Sequence, residues 1–205
     1  MVTDTKRYHH GDLRGALLAA ALDLLKREGP AALSLRALAR AVGVSPMAPY
    51  HHFVDREALL AAVATAGFKR LQRQKIENER AHGSAREALA AGAADYVRFI
   101  LENPNLYLLM KGPAFVDRER YPDLHQAAAA PAQMLIGLIA RLLAEHRVRD
   151  LSAEAGAQML WGLAHGIGTL ALDDQLSPDA AVGLAHDGAE AMIKGWLTGE
   201  VRNSI

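Results

Sequence analysis

A short segment near the N-terminus, GVSPMAPYHHF at residues 43–53, concentrates side chains that suit contact with a nucleic acid. If this segment is helical from residue 46 onward, Pro49 and Phe53 fall on one side and face a core. The opposite side and its flanks then hold side chains that can reach bases and phosphates. These are Met47, Ala48 and His51 on the outer side, with Tyr50 and His52 at its edges. The arrangement predicts a recognition helix for the major groove of double-stranded DNA.

The two prolines of the segment are compatible with a short helix. Ser45 followed by Pro46 is a typical start, because a proline at the first helical position removes a donor that has no partner there. Pro49 is then the fourth helical residue and forfeits only the first intrahelical bond, to the carbonyl of Ser45. We therefore expect a short, strained α-helix that begins at Pro46.

The adjacent histidines allow a second interpretation, as metal ligands. The side chains of His51 and His52 point about 100° apart on a helix, which disfavours joint coordination of one ion. The chain contains no cysteine, which excludes disulfides and thiolate metal sites. We expect no metal and no other cofactor, and we interpret both histidines as solvent-exposed or phosphate-contacting.

The residues before this segment predict the partner helix that positions it. Ser34 caps a short helix, LRALARA, which stops at Gly43, and the turn VGVS leads into the recognition segment. Gly43 can adopt the left-handed backbone conformation that a tight turn demands, and Ala39 is small where the two helices would cross. These features are typical of a helix-turn-helix.

Helical periodicity continues along the rest of the chain, and no alternating strand pattern is present. The first helix ends before Gly29, and Asp55 opens a long helix that ends near residue 83. Ser84 and Glu87 form a capping box for the next helix, and Ser177 caps the last one. After a looser section, three more helices are expected at about 123–147, 152–173 and 178–199. The predicted fold class is all-α.

The composition bounds the class of protein. Of the 205 residues, 51% are hydrophobic, which is enough for a sizeable core. Basic and acidic side chains balance overall, and residues 1–57 hold two more basic than acidic ones, a mild asymmetry. The N-terminus lacks the apolar run of a signal peptide, and no stretch reaches the roughly 18 uninterrupted apolar residues of a membrane span. We expect a cytoplasmic protein with no membrane partner.

Several stretches make the chain similar to a known family. LSLRALARAVGVSPMAPYHHFVDREALL resembles the helix-turn-helix of TetR-type transcriptional regulators. YHHGDLRGALLAAALDLL, NPNLYLLMKGP and LWGLAHGIGTL resemble the TetR branch whose C-terminal domain is named for a Trp-His-Gly signature, here Trp161, His165 and Gly166. The resemblance implies a three-helix DNA-binding domain over 1–56 and a larger helical effector-binding and dimerisation domain over 57–205.

The resemblance also implies which residues meet DNA. Arg36 matches a family position that reaches a base or a phosphate, and Arg56 stands where a phosphate-binding lysine is usual. Ala48 replaces a common threonine, which removes a hydroxyl and leaves His51 and apolar contacts to thymine methyl groups as the expected readers. The expected DNA contacts are Arg36, Ser45, Pro46, Met47, Ala48, Tyr50, His51, His52 and Arg56.

A ligand pocket among the C-terminal helices is a further implied feature. The segment 152–173 is apolar on nearly all sides and contains four glycines, which indicates close helix packing or room for a ligand. Ordinary core packing is the alternative for every candidate, and His165 could equally be a buried, hydrogen-bonded histidine. The candidates form an apolar wall with a few polar tips: Tyr96, Phe99, Tyr107, Met110, Trp161 and His165.

The last two helices would form half of a four-helix homodimer interface, as the resemblance implies. The final helix presents an apolar stripe of Val182, Ala185, Ala189, Ile193 and Trp196. The expected function is a homodimeric repressor that a small apolar or amphipathic effector releases from a palindromic operator. The alternatives are a constitutive DNA-binding dimer without an effector, and a helical ligand carrier or enzyme. An enzyme is not expected, because His165 has no adjacent nucleophile or metal cluster.

Overall fold

The computed structural model describes residues 12–112 and 119–198, and the elements within these ranges are helical. Two short 3-10 segments, Pro30–Ala32 and Ala48–His51, lie in the N-terminal part. The α-helices are α1 (Leu13–Glu28), α2 (Leu35–Val42), α3 (Arg56–Ala81), α4 (Ala85–Glu102), α5 (Pro104–Met110), α6 (Pro122–Glu145), α7 (Ala153–Leu172) and α8 (Pro178–Thr198). The predicted all-α class is confirmed.

Side-chain caps start the helices where the sequence predicts them. The Ser34 hydroxyl accepts a hydrogen bond from a backbone N–H of α2 at 3.1 Å, and the Asp55 carboxylate accepts one in α3 at 2.7 Å. Ser84 and Ser177 accept equivalent bonds at the starts of α4 and α8. Each cap satisfies one of the N–H groups that the first helical turn leaves without a partner.

Gly43 ends α2 in the left-handed conformation, with φ of 74°. Its N–H donates to the Arg40 carbonyl, and the N–H of Val44 donates to the Ala39 carbonyl at 3.0 Å. A side chain at this position would strain the backbone, which is why the turn favours glycine.

The recognition segment differs from its prediction. The structure has a single 3-10 turn, Ala48–His51, in place of an α-helix that begins at Pro46. The Ser45 carbonyl accepts from the N–H of Ala48 at 3.0 Å, because Pro49, one residue further on, has no N–H with which to make the α-helical bond. The backbone hydrogen bonds therefore keep the three-residue spacing of a 3-10 helix as far as His51. We call residues 46–52 the recognition turn.

Helix α5 is an element that the sequence analysis placed in a looser section. Pro104 stands at its first position, and Asn103 joins α4 to α5. A Cβ atom at Gly67 of α3 would lie 2.7 Å from the Met110 sulfur, so α5 packs closely on α3. Tertiary contact thus supports a helix that is too short to be stable alone.

Two hydrophobic clusters make up the core. The first joins α1, α2, the recognition turn and much of α3, and it also includes Phe99 and Leu106. The second joins α4, α6, α7 and α8. Since Leu59 and Val63 of α3 are fully buried in the first cluster, the core does not divide at residue 56. The first half of α3 therefore packs with α1, α2 and the recognition turn, and we call these elements together the N-terminal head.

The apolar stripe of α8 is buried inside the protomer, which corrects its assignment to a dimer interface. Ala185, Ala189 and Ile193 are fully buried and Trp196 is nearly so, in the second cluster. Val182 is half-buried against the same cluster. Helix α4 packs extensively on α8 and covers this stripe. Periodicity identifies a buried face but does not identify the element that buries it.

Within the described residues, α6 is the one helix whose length and composition would allow it to cross a membrane. In this fold it contacts α3, α4 and α7. Its Ile139 and Leu142 side chains are fully buried in the second cluster. Part of its apolar surface is therefore used in packing.

Replacing Ala189 by leucine tests the placement of the α8 stripe. The larger side chain has no room beside α4, and we expect Ala189→Leu to lower the free energy of unfolding by about 1–3 kcal/mol. Ala140→Leu, at an exposed position of α6, is the matched control and should change it by less than about 0.5 kcal/mol. Urea unfolding followed by circular dichroism measures both. Equal effects of the two substitutions would contradict the placement.

Candidate functional site

The recognition turn presents the side chains that the helical wheel placed outside. Met47 is 64% exposed and Tyr50 is 41% exposed, and both histidines of the turn are exposed. Pro49 and Phe53 are buried, as predicted. Ala48, which was expected on the outer side, is half-buried. The other inward and outward side chains agree with the sequence analysis, although the backbone is a 3-10 turn.

Arg14 of α1 contacts Phe53, the residue that follows the recognition turn. Its guanidinium carbon lies 5.5 Å from the centroid of the Phe53 ring, within the range of a cation–π contact. Phe53 anchors the end of the turn in the head core, since its N–H donates to the Pro49 carbonyl at 3.0 Å. The exposed side chains are therefore displayed on a backbone that is packed on its other face.

The two arginines expected at DNA are placed differently. Arg36 is exposed in the first turn of α2. The Arg56 guanidinium donates instead to the carbonyls of Leu33 at 2.8 Å and Pro30 at 2.7 Å. It braces the loop between α1 and α2, a role that the sequence analysis did not foresee.

Arg120, just before α6, connects the C-terminal region to the head. Its guanidinium forms ion pairs with Asp55 at 2.5 Å and with Glu57 at 2.7 Å. Asp55 also caps α3, directly after the recognition turn. This link has no signal in the sequence, because it joins residues more than 60 positions apart.

A cavity of about 660 Å³ lies between α3, α4, α5, α6 and α7. This volume is typical of a small-molecule site. Its wall is mostly apolar, and all six residues that the sequence analysis selected line it: Tyr96, Phe99, Tyr107, Met110, Trp161 and His165. The fold therefore brings the predicted pocket residues together, and their contact with a ligand remains a prediction.

A polar cluster forms part of the cavity wall. His165 is hydrogen-bonded through Nδ1 to the Tyr96 hydroxyl at 3.1 Å and through Nε2 to the Tyr107 hydroxyl at 3.2 Å. Lys111 Nζ lies 3.3 Å from the same Nε2 atom. The Trp161 ring lies beside the imidazole, with centroids 4.8 Å apart. We call Tyr96, Tyr107, Lys111 and His165 the tyrosine–histidine cluster.

The electrostatics of this cluster favour a neutral imidazole. Burial lowers the pKa of His165, and the nearby Lys111 ammonium lowers it further. Burial raises the pKa of Tyr96 to about 12, so its hydroxyl stays protonated. A neutral imidazole offers one donor and one acceptor, and the two hydroxyls can each donate or accept. The cluster can therefore hold a polar group without requiring one particular charge.

The sequence analysis missed several polar residues of the wall, among them Lys75 and Asn78. Lys75 and Asn78 line the cavity from α3, and the Asn78 amide donates to the Asp95 carboxylate at 2.8 Å. Burial lowers the pKa of Lys75, partly opposed by Asp95. A signal existed: both residues share the helical face of Leu71, where polar side chains interrupt an apolar row.

Comparison with known proteins places these features in a family. Residues 17–63 match the model for bacterial regulatory proteins of the tetR family. Residues 89–194, more than half of the chain, match the model for a tetracyclin repressor-like C-terminal domain. The chain belongs to the TetR family. The N-terminal head is thus the helix-turn-helix DNA-binding domain of a TetR-family regulator, and the narrower Trp-His-Gly resemblance stays a prediction.

Solved structures of similar proteins share this TetR architecture. A Rhodococcus protein of unknown function has 34% identity and a TM-score of 0.82, and the match covers 93% of this chain and 98% of that one. A transcriptional regulator from Pseudomonas aeruginosa has 25% identity and a TM-score of 0.75, with 96% and 95% covered. FadR from Bacillus subtilis, in complex with stearoyl-CoA, has 16% identity and a TM-score of 0.70, with 89% and 98% covered, and shows the fold alone.

Removing the Lys111 charge tests the electrostatics of the tyrosine–histidine cluster. We expect the pKa of His165 to lie below its ordinary value, and to rise in Lys111→Met because a neighbouring cation no longer opposes protonation. An NMR titration of the histidine ring protons measures this pKa. Lys69→Met, an exposed change on α3, is the control and should leave it unchanged. A His165 pKa that is the same in Lys111→Met and the parent would contradict the assigned contact.

Proposed function

We propose that this TetR-family protein is a homodimeric, sequence-specific repressor that a small amphipathic effector releases from a palindromic operator. One observation carries the proposal: helix α3 begins shortly after the exposed recognition turn, and its later residues line a large, mostly apolar cavity. Such a protein acts in the cytoplasm, where operator DNA and small metabolites are both present.

The proposed DNA contacts centre on the recognition turn. Met47 and His51 are exposed and meet the base edges, with Met47 offering an apolar contact to thymine methyl groups. Tyr50 and His52 hold phosphates at the edges of the groove, and Arg36 approaches from α2. Ser45, Pro46 and Ala48 complete the contact surface, and Arg56 at the start of α3 supports it by donating to carbonyls of the loop before α2.

The proposed dimer interface lies on the outer faces of α7 and α8. Met159, Leu170 and Leu184 are large apolar side chains that remain exposed in the protomer. A Cβ atom at Gly162 or Gly166 would meet no other atom within 4 Å, so no element of the protomer requires glycine there. An apolar face with such glycines suits close approach of the same face from a second copy.

Effector release follows from the position of α3. Phe68, Leu71 and Lys75 of this helix border the cavity, and its Asp55 cap directly follows the recognition turn. A ligand that binds better to one position of α3 shifts the population of head positions. The ion pairs of Arg120 with Asp55 and Glu57 provide a second connection to the head. A coupling of about 1–3 kcal/mol changes operator affinity roughly 5- to 150-fold.

The cavity favours this function over a constitutive DNA-binding dimer, which would have a packed C-terminal core. The Bacillus subtilis regulator FadR, which has the same fold, is described in complex with stearoyl-CoA, a molecule with a long apolar tail. That precedent supports an effector role for the cavity. Catalysis is not part of the proposal, because the function needs only reversible binding.

Selection of bound sequences from a random DNA pool tests the DNA-binding function. We expect the parent protein to enrich a palindrome, and Tyr50→Phe combined with His52→Ala to weaken its binding by roughly tenfold or more, because each half-site loses phosphate contacts. His186→Ala, an exposed histidine change on α8, is the control and should retain parental affinity. No enrichment by the parent protein would refute sequence-specific binding.

A charge on the outer face of α7 tests the dimer interface. We expect Leu170→Glu to convert the dimer to a monomer, because it places a carboxylate in an apolar contact. Leu108→Glu alters an exposed leucine of α5 and should leave the dimer intact. Sedimentation equilibrium measures the mass of each protein. A dimeric Leu170→Glu variant, or a monomeric parent, would exclude this interface.

A further inference from the structure

Lys75 is a half-buried cation on α3 without an ion-pair partner among the described residues. Within 12–112 and 119–198 it has neither a hydrogen bond nor an ion pair, although it lines the cavity. Asp95, the carboxylate whose charge acts on Lys75, already accepts from other groups through both oxygens. Arg98 pairs with its Oδ1 atom at 2.5 Å, and Asn78 donates to its Oδ2 atom at 2.8 Å.

The other charged groups of the cavity do not neutralise Lys75. Glu79 pairs with Arg141 at 2.9 Å, and Glu154 is exposed in the first turn of α7. Lys111 is a second ammonium of the wall, and it lies in the tyrosine–histidine cluster. The lining thus has two ammonium groups, one acid already paired with an arginine and one acid exposed to solvent.

An unpaired ammonium in an apolar enclosure is unfavourable. Burial disfavours its charged form, which is why the pKa of Lys75 is lowered. Nearby Asp95 opposes that shift, since its negative charge stabilises the ammonium. A bound anion would supply the missing partner, because a buried charge is tolerated when it is paired. The cavity is therefore arranged to gain a negative charge at Lys75 together with apolar surface.

We propose that the ligand is an aliphatic carboxylic acid whose carboxylate pairs with the Lys75 ammonium and whose chain lies against the apolar wall. This inference rests on the proposed function, because it names the chemical class of the effector for the same cavity. The wall of the same cavity includes Leu71, Leu89, Leu135 and Leu160, which suit a hydrocarbon chain.

A carboxylate fits this site better than a phosphate group does. A dianion loses more hydration free energy on burial, and the single half-buried ammonium of α3 would leave part of its charge unpaired. A monoanion balances Lys75 one to one. The tyrosine–histidine cluster remains available for a second polar group elsewhere on the ligand.

Matched acids and amides provide the test. Octanoate, decanoate and dodecanoate are compared with their primary amides, which have nearly the same shape but no charge, by isothermal titration calorimetry on the full chain. We expect the best-binding acid to bind at least about tenfold more tightly than its amide. Lys75→Met should abolish this preference, while Lys75→Arg, which keeps the positive charge, should retain most of it.

One control variant and one variant of the competing site locate the effect. Lys69→Met, an exposed substitution on the same helix, is the control and should leave the preference for the acid unchanged. Lys111→Met removes the other ammonium of the cavity. This variant can weaken the binding of acid and amide alike, but the ratio of their affinities should persist. Thermal melting of each variant shows whether it is folded, and Lys75→Gln, which is neutral but polar, replaces Lys75→Met if that variant does not fold.

Several results would overturn the proposal: no binding of any acid by the parent, equal affinity for acid and amide, or a preference that persists in the neutral Lys75 variant. Loss of the preference in Lys111→Met alone would also overturn it, by moving the anion to the tyrosine–histidine cluster. Selection of bound DNA sequences distinguishes failure of the ligand proposal from failure of the proposed regulatory function. Operator binding without acid preference refutes only the ligand class, and acid preference without operator binding refutes only the repressor.

Discussion

Helix α3 is buried along both its halves, and this shared burial joins the two functional regions of the protein. Its first half packs Leu59 and Val63 into the core of the DNA-binding head, and its second half contributes Leu71 and Lys75 to the cavity. A continuous hydrogen-bonded helix moves largely as a unit, and packed cores respond by switching arrangements more readily than by bending. The same element therefore sets the position of the head and borders the space that a ligand would occupy.

In the recognition turn, the backbone restriction at Pro49 is compatible with the exposure of side chains to solvent. Pro49 removes a backbone donor, so the segment forms a single 3-10 turn. Its ring and the Phe53 side chain are buried, which anchors the turn without α-helical bonds on that side. The short turn still exposes Met47 and Tyr50, because three-residue periodicity keeps the inner and outer faces nearly where an α-helix would place them.

The cavity combines an apolar wall with polar groups in two different electrostatic states. In the tyrosine–histidine cluster, burial and the Lys111 ammonium keep His165 neutral and hydrogen-bonded. At Lys75, burial disfavours a charge that no described carboxylate pairs with. The first arrangement suits a neutral polar group, and the second suits an anion. The difference between these two polar sites would orient a ligand in the cavity, which the apolar surface alone would not do.

Local chemistry was sufficient to predict the all-α class, most helix starts and the helix-turn-helix. Caps such as Ser34 and Asp55 act within one helical turn, so neighbouring residues specify them. The six candidate pocket residues line one cavity, and their contact with a ligand stays a prediction. The backbone of the recognition turn was predicted incorrectly, since the effect of Pro49 on the Ser45 carbonyl depends on competition between two hydrogen-bonding patterns.

Long-range packing, which the sequence pattern does not encode locally, selected the partner of each buried face. The α8 stripe is buried by α4 of the same protomer, and periodicity could not distinguish that from burial by a second copy. Arg56 turns to loop carbonyls, and Arg120 pairs across the chain with Asp55, because tertiary contacts join residues that are distant in sequence. Among the described residues Lys75 has no ion-pair partner, and Arg98 and Asn78 already occupy the Asp95 carboxylate.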